Sequence, residues 1–326
     1  MSSLVRFANA RECVDCGRHG RSHRARVARG RLAARARTTR ATTPVTPVTT
    51  SETTTSDGDE RVRDTSDGDR SRRRRQCVVY DVSRELVSHD ECAAWQRALL
   101  ARALRDGDAS VDCALLAQHF ETITIGHGSD GEGLKFDERT PPRGFAVARS
   151  ERGGEATYHG PGQLVLYPIL NLARAPHDAD LHWYMRALER VAIEAMEHCG
   201  LEDCERAEGL TGAWCDGHKL AAVGVRARRW VTYHGVALNV CVNLAHFAHI
   251  VPCGIADRPV GSVSQMLRNE PGVISSATAA SMDATEEREA RDDDEELMQR
   301  ARDGLINAFA ETFDLEVEVR HSAPEV

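Results

Sequence analysis

Lysine is nearly missing from this 326-residue chain. Of its 42 strong cations, 40 are Arg and two are Lys, at Lys135 and Lys219. Codon bias toward Arg is the simple explanation, yet a position that keeps Lys in such a chain calls for inspection. Aromatic residues are also scarce, at 5%. No run of 18 apolar residues occurs, which excludes a helix that spans a membrane. The ten cysteines are scattered, at 13, 16, 77, 92, 113, 199, 204, 215, 241 and 253, so they are not the dense framework of a small secreted domain. Buried thiols in a reducing compartment are expected instead. The remaining composition, 41% hydrophobic and 28% charged, suits a globular core.

Charge divides the chain. Residues 1–75 hold 18 Arg against 9 acidic residues, and residues 76–326 hold 24 Lys+Arg against 41, so a net of +9 precedes a net of −17. Residues 1–50 are Arg-rich, Ser/Thr-rich and poor in acids, the composition of an organelle transit peptide. Residues 51–75 contain a near-duplicated TSDGD stretch and read as disordered linker, including the run Arg72 to Arg75. Cys13, Cys16, His19 and His23 have a superficial zinc-ligand spacing without a flanking fold, and no metal is expected. The acidic balance after residue 75 gives no support for a nucleic-acid face.

Residues 76–326 read as a single domain. Strands are expected at 77–82, 113–118, 122–125, 144–149, 163–170, 213–215, 218–226, 236–242 and 315–319. Helices are expected at 90–105, 180–198 and 297–313. Residues 269–296 are polar and then acidic and read as a solvated insertion. The fold class is α/β (α+β), with mixed, mostly antiparallel sheets and flanking helices.

Three segments are unusual for plain structure. Residues 152–162, RGGEATYHGPG, put four glycines, an Arg and a His into eleven positions, and read as a binding loop. A hairpin at 213–226 places Lys219 at the mouth of a strand that is apolar on both faces. There a compact ammonium has a strong local effect, although a Lys can also snorkel to solvent. Residues 249–255, HIVPCGI, lead into a Pro-Cys-Gly turn that would present the Cys253 thiol at the end of a core strand. Cys215 and Cys241 lack such a setting and are read as structural.

Four strings, RGGEATYHGPGQLVLYPI (152–169), GAWCDGHKLAAVGV (212–225), YHGVALNV (233–240) and IVPCGI (250–255), closely resemble the lipoyl(octanoyl) transferases. The resemblance spans about residues 77–268. DLHWYMRALE (180–189) together with TYHGPGQ looks most like the plastid branch. It implies the fold of the biotin and lipoate protein ligase catalytic module, and an acyltransferase that moves octanoyl from acyl carrier protein to a lipoyl-domain lysine. Cys253 would be the acyl-thioester nucleophile. Lys219 would stabilise its thiolate and carry a proton, which Arg cannot readily do. Substrate binding would fall to Arg152, Gly153, Gly154, Glu155, Ala156, Thr157, Tyr158 and His159, to Ala222, Val223 and Gly224, and to Gly235, Val236 and Ala237. Small residues at Ala221, Ala222, Gly224, Gly235 and Ala237 would either leave space for the acyl chain or serve close strand packing. Backbone N–H groups near Cys253 and Gly254 are candidate oxyanion donors.

The resemblance further implies that no ATP and no metal is needed. Partners would be octanoyl-acyl carrier protein, the lipoyl domains of 2-oxoacid dehydrogenase complexes and the glycine cleavage H protein, with no nucleic acid and no membrane. A monomer in the plastid stroma rather than the mitochondrion is expected. An acidic carrier needs a local basic patch here, for which Arg226, Arg228 and Arg229 are candidates. Competing readings are an ATP-dependent lipoate or biotin ligase, a non-catalytic carrier-binding relative, and an unrelated hydrolase that pairs a cysteine with His246 or His249.

Overall fold

A computed structural model describes residues 74–255, 258–268 and 284–326, with the backbone alone for 284–290. The expected transit peptide, nearly all of the linker and the Cys13–His23 cluster lie outside the described residues. The linker does end earlier than expected. Arg75 opens the first strand, β1 (Arg75–Val87), where its buried guanidinium pairs with the buried Asp112 carboxylate and donates to the carbonyls of Asn171 and Arg174. Arg74 donates to Glu311 at 2.8 Å.

Local signals explain most elements. In α1 (His89–Asp106), Ser88 caps the helix by accepting from the Glu91 amide, and Gly107 ends it at φ 58°. In α2 (Leu181–His198), the Asp180 carboxylate accepts from the amides of His182 and Trp183. The expected hairpin joins β7 (Ala213–Cys215) to β8 (His218–Arg228) through Asp216 and Gly217, both at positive φ.

A seven-stranded sheet holds the molecule together, in the order β10-β1-β2-β6-β9-β8-β7. Its other strands are β2 (Asp112–His119), β6 (Gln163–Ile169), β9 (Val231–Asn239) and β10 (Leu315–Arg320). β1 runs parallel to both β10 and β2, and the remaining ladders are antiparallel. A small sheet has the order β4-β3-β5, from β3 (Thr122–Ile125), β4 (Ala146–Arg149) and β5 (Thr157–His159). The α/β class with mixed, mostly antiparallel sheets is therefore observed.

Two cores sandwich the large sheet. On one side α2 and α4 (Ala284–Thr312), which follows the short α3 (Val263–Leu267), pack Tyr184, Leu188, Leu305 and Phe309 against Leu116, Leu166 and Leu238. On the other, α1 packs Leu99 and Ala103 against Leu115, Val165 and Tyr167. A third cluster lies beside the small sheet and includes Ile123, Tyr158, Phe247 and Ile250.

Three expectations need correction. The last helix, α4, begins at Ala284 instead of 297, so the acidic residues just before Leu297 lie on its first turns. β9 starts at Val231 instead of 236. Its turn is built by Arg229 and Trp230, at φ 49° and 64°, and neither residue type announces such a turn. β5 falls inside the stretch read as a loop.

Candidate active site

The binding segments converge on one cavity of about 380 Å³, within the size range of small-ligand pockets. Arg152, Gly153, Gly154, Glu155, Thr157, His159, Ala222, Val223, Gly224, Gly235, Val236 and Ala237 line it, together with Lys219 and Cys253. Two expected residues do not. β5 alternates, so Thr157 and His159 face the cavity while Tyr158 points the other way, where Tyr158 Oη and His246 Nδ1 share a hydrogen bond of 2.8 Å. Ala156 is fully buried in the same outer cluster. Both act as supports. The Ala156 carbonyl accepts from the Cys253 amide at 2.9 Å, which ties the thiol to β5.

Cys253 sits on a short 3₁₀ turn, Pro252–Gly254, and not at a strand end. Its φ of 56° is left-handed and uncommon for a residue with a side chain, so the surroundings impose it. The proposed oxyanion donors are already engaged. The Cys253, Gly254 and Ile255 amides donate to the carbonyls of Ala156, Val251 and Pro252.

Lys219 is 6% exposed and pairs with Trp214 across the β7–β8 ladder. Its Nζ lies 5.7 Å from the Trp214 ring centre, with the Arg258 guanidinium at 5.6 Å from the same ring. The Lys219 amide donates to the Pro259 carbonyl at 2.9 Å, and its carbonyl accepts from the Gly261 amide at 3.0 Å. The chain that carries Cys253 is thus fastened on one side to β5 and on the other to the backbone of Lys219. β8 is only half-buried beyond Ala221, because it forms the cavity wall.

Arg152 is held by the Thr124 hydroxyl and carbonyl, both at 2.8 Å, and by the Gly153 carbonyl at 3.1 Å. Burial lowers it from its ordinary value, while the neighbouring Cys253, Tyr167 and Glu155 work in the opposite direction. A guanidinium so placed gives the cavity a cation near the thiol.

Sequence reasoning selected His159 but missed three further histidines. His89 and His234 line the cavity with His159, and His119 lies behind them, hydrogen-bonded to Tyr167 Oη at 2.7 Å and to the Val87 carbonyl at 2.9 Å. Burial pulls all four down, His119 to about 4 and His234 to about 3. At neutral pH this wall is uncharged, which suits an acyl chain. His234 and Tyr167 stand inside the quoted strings, and His234 is next to the selected Gly235. His89 had no sequence signal, since only α1 packing brings it here. The small-residue positions also sort themselves. Ala221 packs in the core, and a Cβ at Gly235 would stand 2.0 Å from the Leu166 carbonyl, so that glycine serves close strand approach. Ala222 and Ala237 remain as cavity wall. His246 and His249 do not line the cavity. Among the described residues, no group of three or more His, Cys, Asp or Glu is placed to hold a metal ion. No helix among them is long and apolar enough to cross a membrane.

Residues 89–281 match the lipoyl protein ligase A/B catalytic domain. The chain is 39% identical to the chloroplastic octanoyltransferase of Arabidopsis thaliana over 75% of its own length and 81% of that protein. It is 41% identical to the octanoyltransferase of Nostoc sp. over 74% of its length and 94% of the relative, and 47% identical to that of Synechococcus elongatus over 74% and 90%. Among solved structures, lipoate-protein ligase A bound with ATP superposes with a TM-score of 0.53 at 15% identity, covering 76% of this chain and 89% of the other. The bipartite lipoate protein ligase of Thermoplasma acidophilum gives 0.52 at 16%, covering 76% and 86%. At such identities the structural likeness concerns the fold.

Proposed function

The chain belongs to the lipoyl protein ligase A/B catalytic-domain family as an octanoyltransferase-type acyltransferase, and from that premise we propose that it moves octanoyl from octanoyl-acyl carrier protein to a lysine of lipoyl domains through a thioester on Cys253. The observation that carries the proposal is the meeting of Cys253 and the chain's one buried Lys, Lys219, in the wall of a single cavity.

The chemistry divides into two balanced half-reactions. In the first, the Cys253 thiolate attacks the thioester carbonyl, a new C–S bond forms, and the bond to the phosphopantetheine sulfur breaks. The departing thiolate takes a proton from the Lys219 ammonium. In the second, the acceptor lysine, as a free amine, attacks the acyl-enzyme carbonyl. Its extra proton passes to the Lys219 amine, the amide C–N bond forms, and Cys253 leaves as thiolate. Both groups return to their starting states. The acyl group arrives activated as a thioester, so the step needs neither ATP nor a metal. Arg152 adds positive charge near the reacting carbonyl.

The acceptors would be the lipoyl domains of 2-oxoacid dehydrogenase complexes and the glycine cleavage H protein, with the plastid stroma as the compartment and a monomer as the working form. The chloroplastic Arabidopsis relative and the cyanobacterial relatives favour the plastid. The test is to incubate the full chain with octanoyl-acyl carrier protein without ATP and to seek an octanoyl adduct on Cys253 by mass spectrometry. The adduct should form and should be discharged by a lipoyl domain. No adduct, or an absolute need for ATP, would sink the proposal in favour of a ligase.

A further inference from the structure

A second hollow adjoins the first. A groove of about 520 Å³ lies between α1 and the β8–β9 hairpin, lined by Arg97 and Leu100 of α1 and by Glu151, Arg226, Arg228 and Tyr233. The two hollows share their walls residue by residue. Val225 lines the cavity and Arg226 the groove. His234 lines the cavity and Tyr233 the groove. Ser150 and Arg152 line the cavity, and Glu151 between them lines the groove. The groove charges reach into the cavity, because Arg226 and Arg97 add to the effect of burial, His89 and Arg152 in holding His234 down.

The groove is a local exception in an acidic domain. Among the described residues, Arg97, Arg226 and Arg228 form no ion pair with a carboxylate. Arg226 donates to the Glu151 carbonyl at 3.1 Å, and the Glu151 carboxylate accepts from Tyr233 Oη at 2.8 Å. Three guanidinium groups therefore face one carboxylate, in a segment whose net charge is −17. Arg229, expected to join this patch, instead donates to the Leu104 carbonyl from the rim. Beside it Trp230 is 42% exposed, and Trp and Arg are the side chains that most often anchor interfaces.

We propose that this groove docks the acidic carrier protein that presents the octanoyl thioester, with Arg97, Arg226 and Arg228 meeting its carboxylates and the phosphodiester of its prosthetic arm. The inference rests on the transferase reading above. Two acidic proteins repel at long range, so productive encounter requires a concentrated patch of opposite sign next to the entrance. Arginine suits both anions, since its planar fork pairs bidentately with carboxylate and phosphate. β8 runs from Gly224 in the cavity to Arg228 in the groove, a rise of about 13 Å. An extended prosthetic arm can cover that distance and deliver the thioester past Val225.

The test is the double variant R97E/R228E, which leaves the Arg226 brace on Glu151 intact. The full chain is assayed with octanoyl-acyl carrier protein and with the carrier-free thioester S-octanoyl-N-acetylcysteamine, at fixed lipoyl-domain acceptor. The KM for the carrier donor should rise roughly tenfold or more, and the variant should lose the salt sensitivity of the parent. Turnover of the small thioester and the melting temperature should stay as in the parent. Equal losses with both donors, no loss with the carrier, or a rise confined to the KM for the lipoyl domain would overturn the docking assignment. A parent chain that uses neither donor would overturn the transferase reading itself.

Discussion

The Lys219 side chain lies across Gly212: a Cβ on Gly212 would stand 2.6 Å from Lys219 Cε and 3.3 Å from Nζ. Gly212 also adopts φ 127°, and its amide donates at 2.9 Å to the fully buried Glu189 carboxylate. Loop, helix α2 and the one buried Lys are thereby locked to one another. Gly212→Ala should push the ammonium off its seat over Trp214, and it also presses on the Ala221 carbonyl, 2.5 Å from the added Cβ. Turnover should fall on the order of 100-fold, since misplacing a reacting group by about 1 Å costs that much. Circular dichroism should show the fold retained, and alkylation of Cys253 by iodoacetamide at neutral pH should slow in parallel. Unchanged alkylation and turnover would mean that the position of Lys219 does not matter.

Lys219→Arg keeps the charge and removes the ability to give up a proton. Turnover should fall by roughly 10² to 10⁴, the range for a lost general acid–base group. Cys253→Ser should abolish normal turnover in the same assay. If Lys219→Arg turns over normally, Lys219 acts through its charge alone.

Acid stability should report the histidine wall. His119 and His234 sit at about 4 and 3 in the folded chain against 6.5 for a free ring, because burial disfavours the charged form. The unfolded chain takes up protons as pH drops below 6.5 and the folded chain does not. Stability from these rings is therefore complete above about pH 6.5 and is lost as pH falls toward 4 and then 3. His119 alone corresponds to something on the order of 3 kcal/mol. Denaturant unfolding at a series of pH values should show this decline. His119→Gln should flatten it between pH 6.5 and 4, although it lowers stability at pH 7 by removing the bonds to Tyr167 and Val87.

Arg75 belongs to the folded domain. Its guanidinium pairs with Asp112, whose side chain is 2% exposed, so Arg75→Met leaves a buried carboxylate without its partner. A loss of about 3 kcal/mol or more is expected in urea unfolding. Combining it with Asp112→Asn should restore part of that loss. A single variant as stable as the parent would show that the pair contributes nothing.

Ala237 should help to set the acyl length. It is 5% exposed and lines the cavity. Ala237→Leu should favour shorter acyl donors over octanoyl by about 1–3 kcal/mol in kcat/KM, which competition between hexanoyl and octanoyl donors would measure. An unchanged preference would place the acyl chain elsewhere.

Much of this protein is written locally, and the legible parts share a reason. The Ser88 and Asp180 caps, the Asp216-Gly217 turn and the apolar spacing of α1 and α2 act within a few residues, so the sequence announces them. The four motif strings likewise name Cys253, Lys219 and the Arg152 loop without any structure. Other features depend on partners distant in the chain. β5 is a strand because β3 pairs with it, and that pairing turns Tyr158 away from the cavity. The Arg229-Trp230 turn exists because β8 and β9 hold their register around two unfavourable backbone conformations. His89 comes from α1, far from every motif, and joins the site only because α1 packs on the sheet. The sequence by itself determined the chemistry available: one thiol on a Pro-Cys-Gly turn and, in a chain with 40 Arg and two Lys, a Lys on the hairpin strand. The tertiary structure alone decided which groups share the cavity, which are buried to neutrality, and where unpaired arginines gather. Those properties depend on distance and desolvation between segments far apart in the chain, which local side-chain preferences do not encode.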